Sequence, residues 1–165
     1  MAEHIASFFV NLPKEWITLI IALIPIAELR GAIPWALANP PIGGGLSWQT
    51  AYLYAVIGNL IPVLPLLLFF ERMYLWLNRY MVFQRFFAWL FARTRKRGKV
   101  VEKYRALGLI LFVAVPLPVT GAWTGTLAAF LFGIKPRHAF PCIAAGVVIA
   151  GIIVTLASLG VISLL

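Results

Sequence analysis

Four long apolar runs separated by short polar intervals organise this chain: Trp16–Ala38, Ala51–Phe70, Ala106–Ile134 and Ala139–Leu165. Each reaches the roughly 20 residues that a helix needs to cross a bilayer core. Spanning helices are expected over 51–70 and 139–160. In the first of these, Asn59 with Pro62 and Pro65 predicts a kink facing the other segments. The run over 16–38 is different, because Pro25, Gly31 and Pro34 break it near its centre. A split near Glu28–Gly31 leaves two arms of about 11 residues, each about 17 Å long as helix, which reach the membrane midplane and stop. The run over 106–134 carries Pro116, Pro118, Gly121 and Gly125 near its own centre. Broken helices at membrane depth occur where the backbone lines a cavity. Both runs are therefore expected to be re-entrant hairpins.

The two broken runs also share a local pattern. Gly31-Ala32 is followed by Leu37-Ala38, and Gly121-Ala122 by Leu127-Ala128, at a constant offset of 90 residues. Each expected hairpin precedes one spanning helix. The expected fold is thus an all-α integral membrane protein, a single domain over 1–165 built as an inverted repeat of hairpin and spanning helix.

Between the repeats lies a basic block. Residues 73–92 are apolar but interrupted by Asn78, Arg79, Gln84 and Arg85, with Trp76, Tyr80, Phe83, Phe87 and Leu90 on the opposite side. That pattern predicts an amphipathic helix lying in the membrane interface. Residues 93–105 are expected as a basic cytoplasmic loop under the positive-inside rule. Re-entrant hairpins put this loop and the Lys135–His138 turn on one side, gathering 12 of the 14 basic residues there. Four simple crossings would place that turn outside.

Composition removes other classes. A chain that is 62% hydrophobic and 12% charged is not a soluble globular domain. The formal charge of +9 is concentrated in one block, so membrane lipids rather than nucleic acid are the expected partner. Cys142 is the one cysteine and excludes an internal disulfide. Asp is absent, and His4 and His138 lie near segment ends. No spacing resembles a metal or cofactor site or a nucleophilic triad, so no enzyme is expected. Glu3 and Glu15 occupy an N-terminus without a basic leader region, and no cleavable signal peptide is expected. Multi-pass insertion in a prokaryotic plasma membrane follows, and so few helices around two half-membrane hairpins suggest a homodimer.

The chemistry concentrates at Glu28 and Arg30, since charges inside an apolar segment are costly and usually functional. A carboxylate held between desolvation, which favours its neutral form, and an arginine, which favours its charged form, can take up and release a proton. Arg30 presents a fork suited to phosphate or carboxylate. On a regular helix the two would diverge by about 200°; at a broken tip they can converge. A static ion pair pinning the tip is the plainer alternative. Gly31 and Pro34 would line the same tip. Pro116, Pro118, Thr120, Gly121, Trp123, Thr124 and Gly125 are the candidates on the second hairpin. For these the ordinary alternatives are threonines bonding to their own helix and glycines permitting close packing.

The stretches Glu28-Leu-Arg-Gly-Ala-Ile-Pro34 and Val115-Pro-Leu-Pro-Val-Thr-Gly-Ala-Trp-Thr-Gly-Thr-Leu-Ala-Ala129 resemble the bacterial and archaeal small multi-drug export protein family. More loosely, they resemble the DedA (VTT-domain) membrane proteins. The resemblance implies hairpins packed tip to tip and, by DedA analogy, proton-linked transport or flipping of lipids such as polyprenyl phosphates. Glu28 corresponds to the acidic residue of the DedA first hairpin. The second hairpin departs from the DedA pattern, having no arginine near its prolines. The expected activity is a secondary transporter or lipid flippase using protons, with a lipid or amphipathic substrate. The alternatives are a small multidrug exporter, a passive scramblase, or a non-transporting membrane-organising protein.

Overall fold

The computed structural model describes residues 12–77, 79–81, 84–85, 100–116 and 120–162. Among these the chain is helical and without strands: α1 (Lys14–Leu23), α2 (Glu28–Leu37), α3 (Trp48–Leu60), α4 (Val63–Leu77), α5 (Val100–Ala114), α6 (Ala122–Leu131) and α7 (Pro136–Ile162). Two compact units emerge, one from residues 1–61 with 149–165 and the other from 62–148. Trp48–Trp76 and Pro136–Ile162 are long and apolar enough to cross a membrane.

In the first unit, α1 and α2 pack against each other, and α3 packs against both. The break between α1 and α2 falls at residues 24–27, ahead of the expected split at Glu28–Gly31. Pro25 explains the shift, because proline disfavours helical backbone in the residue before it. Ile24 accordingly adopts an extended conformation (φ −74°, ψ 129°). Gly31 and Pro34 lie inside α2 instead. A Cβ at Gly31 would stand 2.9 Å from the Ala27 Cβ and 3.6 Å from Ile21, so this glycine lets α2 fold closely back on α1. Beyond α2 the loop is built on its helix end. The Gly44 N–H donates to the Trp35 carbonyl (2.9 Å), and Leu46 N–H donates to Ala36 (2.8 Å). Ser47 then caps α3, its Oγ accepting from the Thr50 N–H at 3.3 Å.

The span expected over 51–70 is longer at both ends and interrupted. Pro62 and Pro65 bring no N–H to the helix ladder, and residues 61–62 form a turn between α3 and α4. Residues 73–77 continue α4 rather than starting a separate interfacial helix, since Phe70-Glu-Arg-Met-Tyr74 contains no breaker. Half of the predicted interfacial helix, and the tract 93–99, lie outside the described residues. Residues 100–105, expected in a loop, form the first turns of α5.

In the second unit, α6 packs against α4 and α5. Phe130 of α6 stacks on Phe70 (5.4 Å between centroids) and meets Tyr74 edge-on at 6.4 Å. Val113 of α5 is the knob around which three helices close. It abuts Gly125 on α6, and at Gly146 on α7 a Cβ would come within 2.6 Å of the Val113 Cβ. The Lys135–His138 segment is not a free turn, because Pro136 starts α7 and the Lys135 carbonyl accepts from His138 and Ala139 (both 2.9 Å).

Small residues fill much of the core of both units, beside buried Ile33, Val63, Val113 and Ile143. Ala22, Ala32, Ala36, Ala51, Ala55, Ala122, Ala129 and Ala139 are fully buried. Leu53, Ile57, Leu64, Leu68, Ile152, Ile153 and Leu156 are exposed along the two long apolar helices. Small residues inside and bulky aliphatics outside is the arrangement of helices solvated by lipid.

Gly58 should therefore be intolerant of a side chain, as its Cβ would meet the Leu19 backbone and lie 3.0 Å from the Ala22 Cβ. Gly58→Ala is expected to destabilise by about 1–3 kcal/mol through overpacking. Gly108 has nothing within 4 Å, so Gly108→Ala should be neutral or stabilising by about 0.5–1 kcal/mol. Thermal unfolding of the two variants in one detergent checks the contrast.

Candidate functional site at the first chain break

The first break ends in an unusual residue. Glu28 opens α2 with φ +45°, the one described non-glycine residue in the left-handed region. Holding an L-residue there costs about 1–2 kcal/mol. Its N–H nevertheless reaches the Ile24 carbonyl at 3.0 Å, so the turn is closed by backbone hydrogen bonds. The Glu28 side chain is only 8% exposed, whereas Ile26, at the apex of the same turn, is 94% exposed. A carboxylate is thus folded inward while an aliphatic side chain projects outward. Local strain of this kind persists where surrounding structure enforces it, and it clusters at functional sites.

Arg30 lies in the first turn of α2, half-buried, while Leu29 between them is buried. Glu28 stands at the N-terminus of α2, where a carboxylate is favoured by the helix dipole.

Asn59 is a polar residue of this region that the sequence pattern revealed only as a kink marker. It continues the buried stripe Ala51–Ala55–Asn59 of α3, four residues apart, and is 1% exposed. Its carboxamide oxygen is buried and has no hydrogen-bond partner among the described residues. Its depth follows from its neighbour. Gly58 meets Leu19 and Ala22 of α1, so Asn59 lies near the level where α1 ends and the break begins. An orphaned buried acceptor costs about 1–3 kcal/mol. The strained Glu28 and the orphaned Asn59 therefore belong to the same compact unit, residues 1–61 with 149–165.

At the second break α5 ends at Ala114 and α6 begins at Ala122, and the described residues between them are 115, 116, 120 and 121. Pro116 lies in it half-buried; Pro118 lies outside the described residues. Thr120 Oγ1 donates to the Val115 carbonyl (2.6 Å), bridging the break. Gly121 is buried and caps α6 in an extended conformation, its carbonyl accepting from the Gly125 N–H at 2.8 Å. Thr124 donates to the Gly121 carbonyl (3.4 Å), and buried Thr126 donates to Ala122 (2.7 Å). Trp123 is half-buried in the first turn of α6. Gly125 faces Val113. These hydroxyls bond to the backbone of their own segment, and Gly125 serves close packing. Among the described residues no three His, Cys, Asp or Glu side chains are grouped to hold a metal ion.

Two substitutions separate stability from function here. Glu28→Gly relieves the left-handed strain and should raise stability by about 1 kcal/mol, while removing the carboxylate. Asn59→Leu removes the orphaned acceptor and should likewise stabilise, by about 1 kcal/mol or more. Thermal unfolding checks both, and a fall in midpoint for either would show that its polar group is structural.

No curated protein and no solved structure matches the chain. Residues 28–153, well over half of the sequence and beginning at the strained glutamate, match the family described as "Putative small multi-drug export protein". The chain belongs to that family of export proteins.

Proposed function

We propose that this protein is a secondary transporter that moves an amphipathic substrate across the membrane in exchange for protons, with Glu28 as the proton-carrying group. Family membership and the two apolar spans support a transporter of the small multidrug export type. The observation that carries the finer reading is the inward, strained Glu28 at a break in an apolar segment. A broken helix offers backbone groups and an ionisable side chain at the depth where transporters place their sites. Arg30 acts as counter-ion or as an anion contact for the substrate. In this reading the two helix–break–helix segments are re-entrant and the basic segment is cytoplasmic.

Movement of a lipid is the second reading. It rests on the looser likeness of the two motifs to DedA proteins.

Purified protein in liposomes separates these readings. With an imposed pH gradient, wild-type protein should drive accumulation of a lipophilic amine or dye, and Glu28→Gln should abolish the gradient-dependent part. Equal gradient-driven movement by both proteins would eliminate Glu28 as proton carrier. Movement of a labelled polyprenyl phosphate, with none of the amine, would favour the lipid reading.

A further inference from the structure

A second polar constellation lies in the unit formed by residues 62–148. Leu67, Glu71 and Tyr74 stand at i, i+4 and i+7 on α4 and so share one helical face. Opposite them, α6 ends in a tight left-handed turn. Gly133 has φ +67°, its N–H donates to the Phe130 carbonyl, and Ile134 N–H donates to Ala129, both at 2.9 Å. This Schellman arrangement requires glycine at its left-handed position. It turns the chain so that Ile134 and Lys135 face back toward α4. Together these residues and Phe130 line a cavity of about 160 Å³.

The lining is chemically divided. Glu71 supplies a carboxylate and Lys135 an ammonium, and neither has an ion-pair partner among the described residues. Tyr74 and Phe130, the latter stacked on Phe70, supply aromatic surface beside them. Leu67 and Ile134 supply aliphatic surface. A carboxylate beside aromatic rings suits an ammonium group, and a lysine suits a phosphate. One ligand satisfying both carries a phosphate and an ammonium in a single small head. The depth agrees, since Glu71 is five residues from the end of the Trp48–Trp76 span and Pro136 begins the Pro136–Ile162 span. Span ends are where headgroups of a bilayer sit.

We infer that this cavity binds the headgroup of a zwitterionic phospholipid, with the phosphate on Lys135 and the ammonium on Glu71 and the Tyr74–Phe130 wall. The site shares no residue with the Glu28 region, and it stands whether or not the protein transports anything.

The test uses full-length protein in nanodiscs containing equal amounts of phosphatidylethanolamine and phosphatidylglycerol, with retained lipids counted by native mass spectrometry after partial delipidation. Wild-type protein should retain phosphatidylethanolamine in preference. Glu71→Gln should lower that retention about tenfold, the loss of one charge-assisted hydrogen bond, and leave phosphatidylglycerol unchanged. Lys135→Gln should lower both. Arg137→Gln, a charge change next to the cavity but not lining it, should alter neither. All three side chains are exposed, so folding should be retained, with the thermal midpoint as the check. No wild-type preference, or wild-type retention by Glu71→Gln, overturns the proposal. Binding of soluble phosphoethanolamine with this residue dependence, without retention of the lipid, overturns the lipid as the source of the headgroup.

Discussion

A backbone interrupted within apolar sequence must find its hydrogen bonds inside the protein, and most of this architecture answers that demand. Each proline at a break withdraws one N–H and leaves a carbonyl to be satisfied. At the first break the Glu28 and Gly31 N–H groups bond to Ile24 and Ala27, closing the turn at the expense of a left-handed glutamate. At the second, the Thr120 hydroxyl donates to the Val115 carbonyl. In lipid no solvent could fill those roles.

Close approach of backbones is the second half of the solution. Without a strong hydrophobic drive between helices in lipid, association depends on contact, and contact depends on small side chains. Gly58 admits the α1 backbone to α3, and Gly125 and Gly146 enclose Val113. Many bulky aliphatics of α3, α4 and α7, such as Leu53, Leu68 and Ile152, are left on the outside. Buried polar groups stand out as exceptions to this apolar packing. Asn59 is such an exception, replacing alanine as the last member of a fully buried stripe.

Transport would give those costs a purpose. A left-handed Glu28 and an unpartnered Asn59 oxygen both lower the stability of the unit that holds them. A membrane protein selected only for stability would have a glycine at the first position and an aliphatic residue at the second.

Composition and the spacing of breakers alone determined the helical class, the two long apolar spans, the two interrupted segments and the singularity of Glu28 and Arg30. These are properties of residue type: prolines end helices wherever they fall, and a charge in an apolar run is visible in one dimension. Helix limits were less legible. The break lies at Pro25 rather than at Gly31, because proline acts on the residue before it, while a glycine in a helix can simply be a contact surface. Residues 73–77 and 100–105 joined neighbouring helices because nothing in them stops hydrogen bonding from propagating. Only tertiary structure decided which face each helix buries. It turned Glu28 inward and Ile26 outward, made Asn59 an orphan, and brought Glu71 and Lys135, 64 positions apart, to one cavity. Those outcomes depend on packing across elements, and no local pattern encodes it.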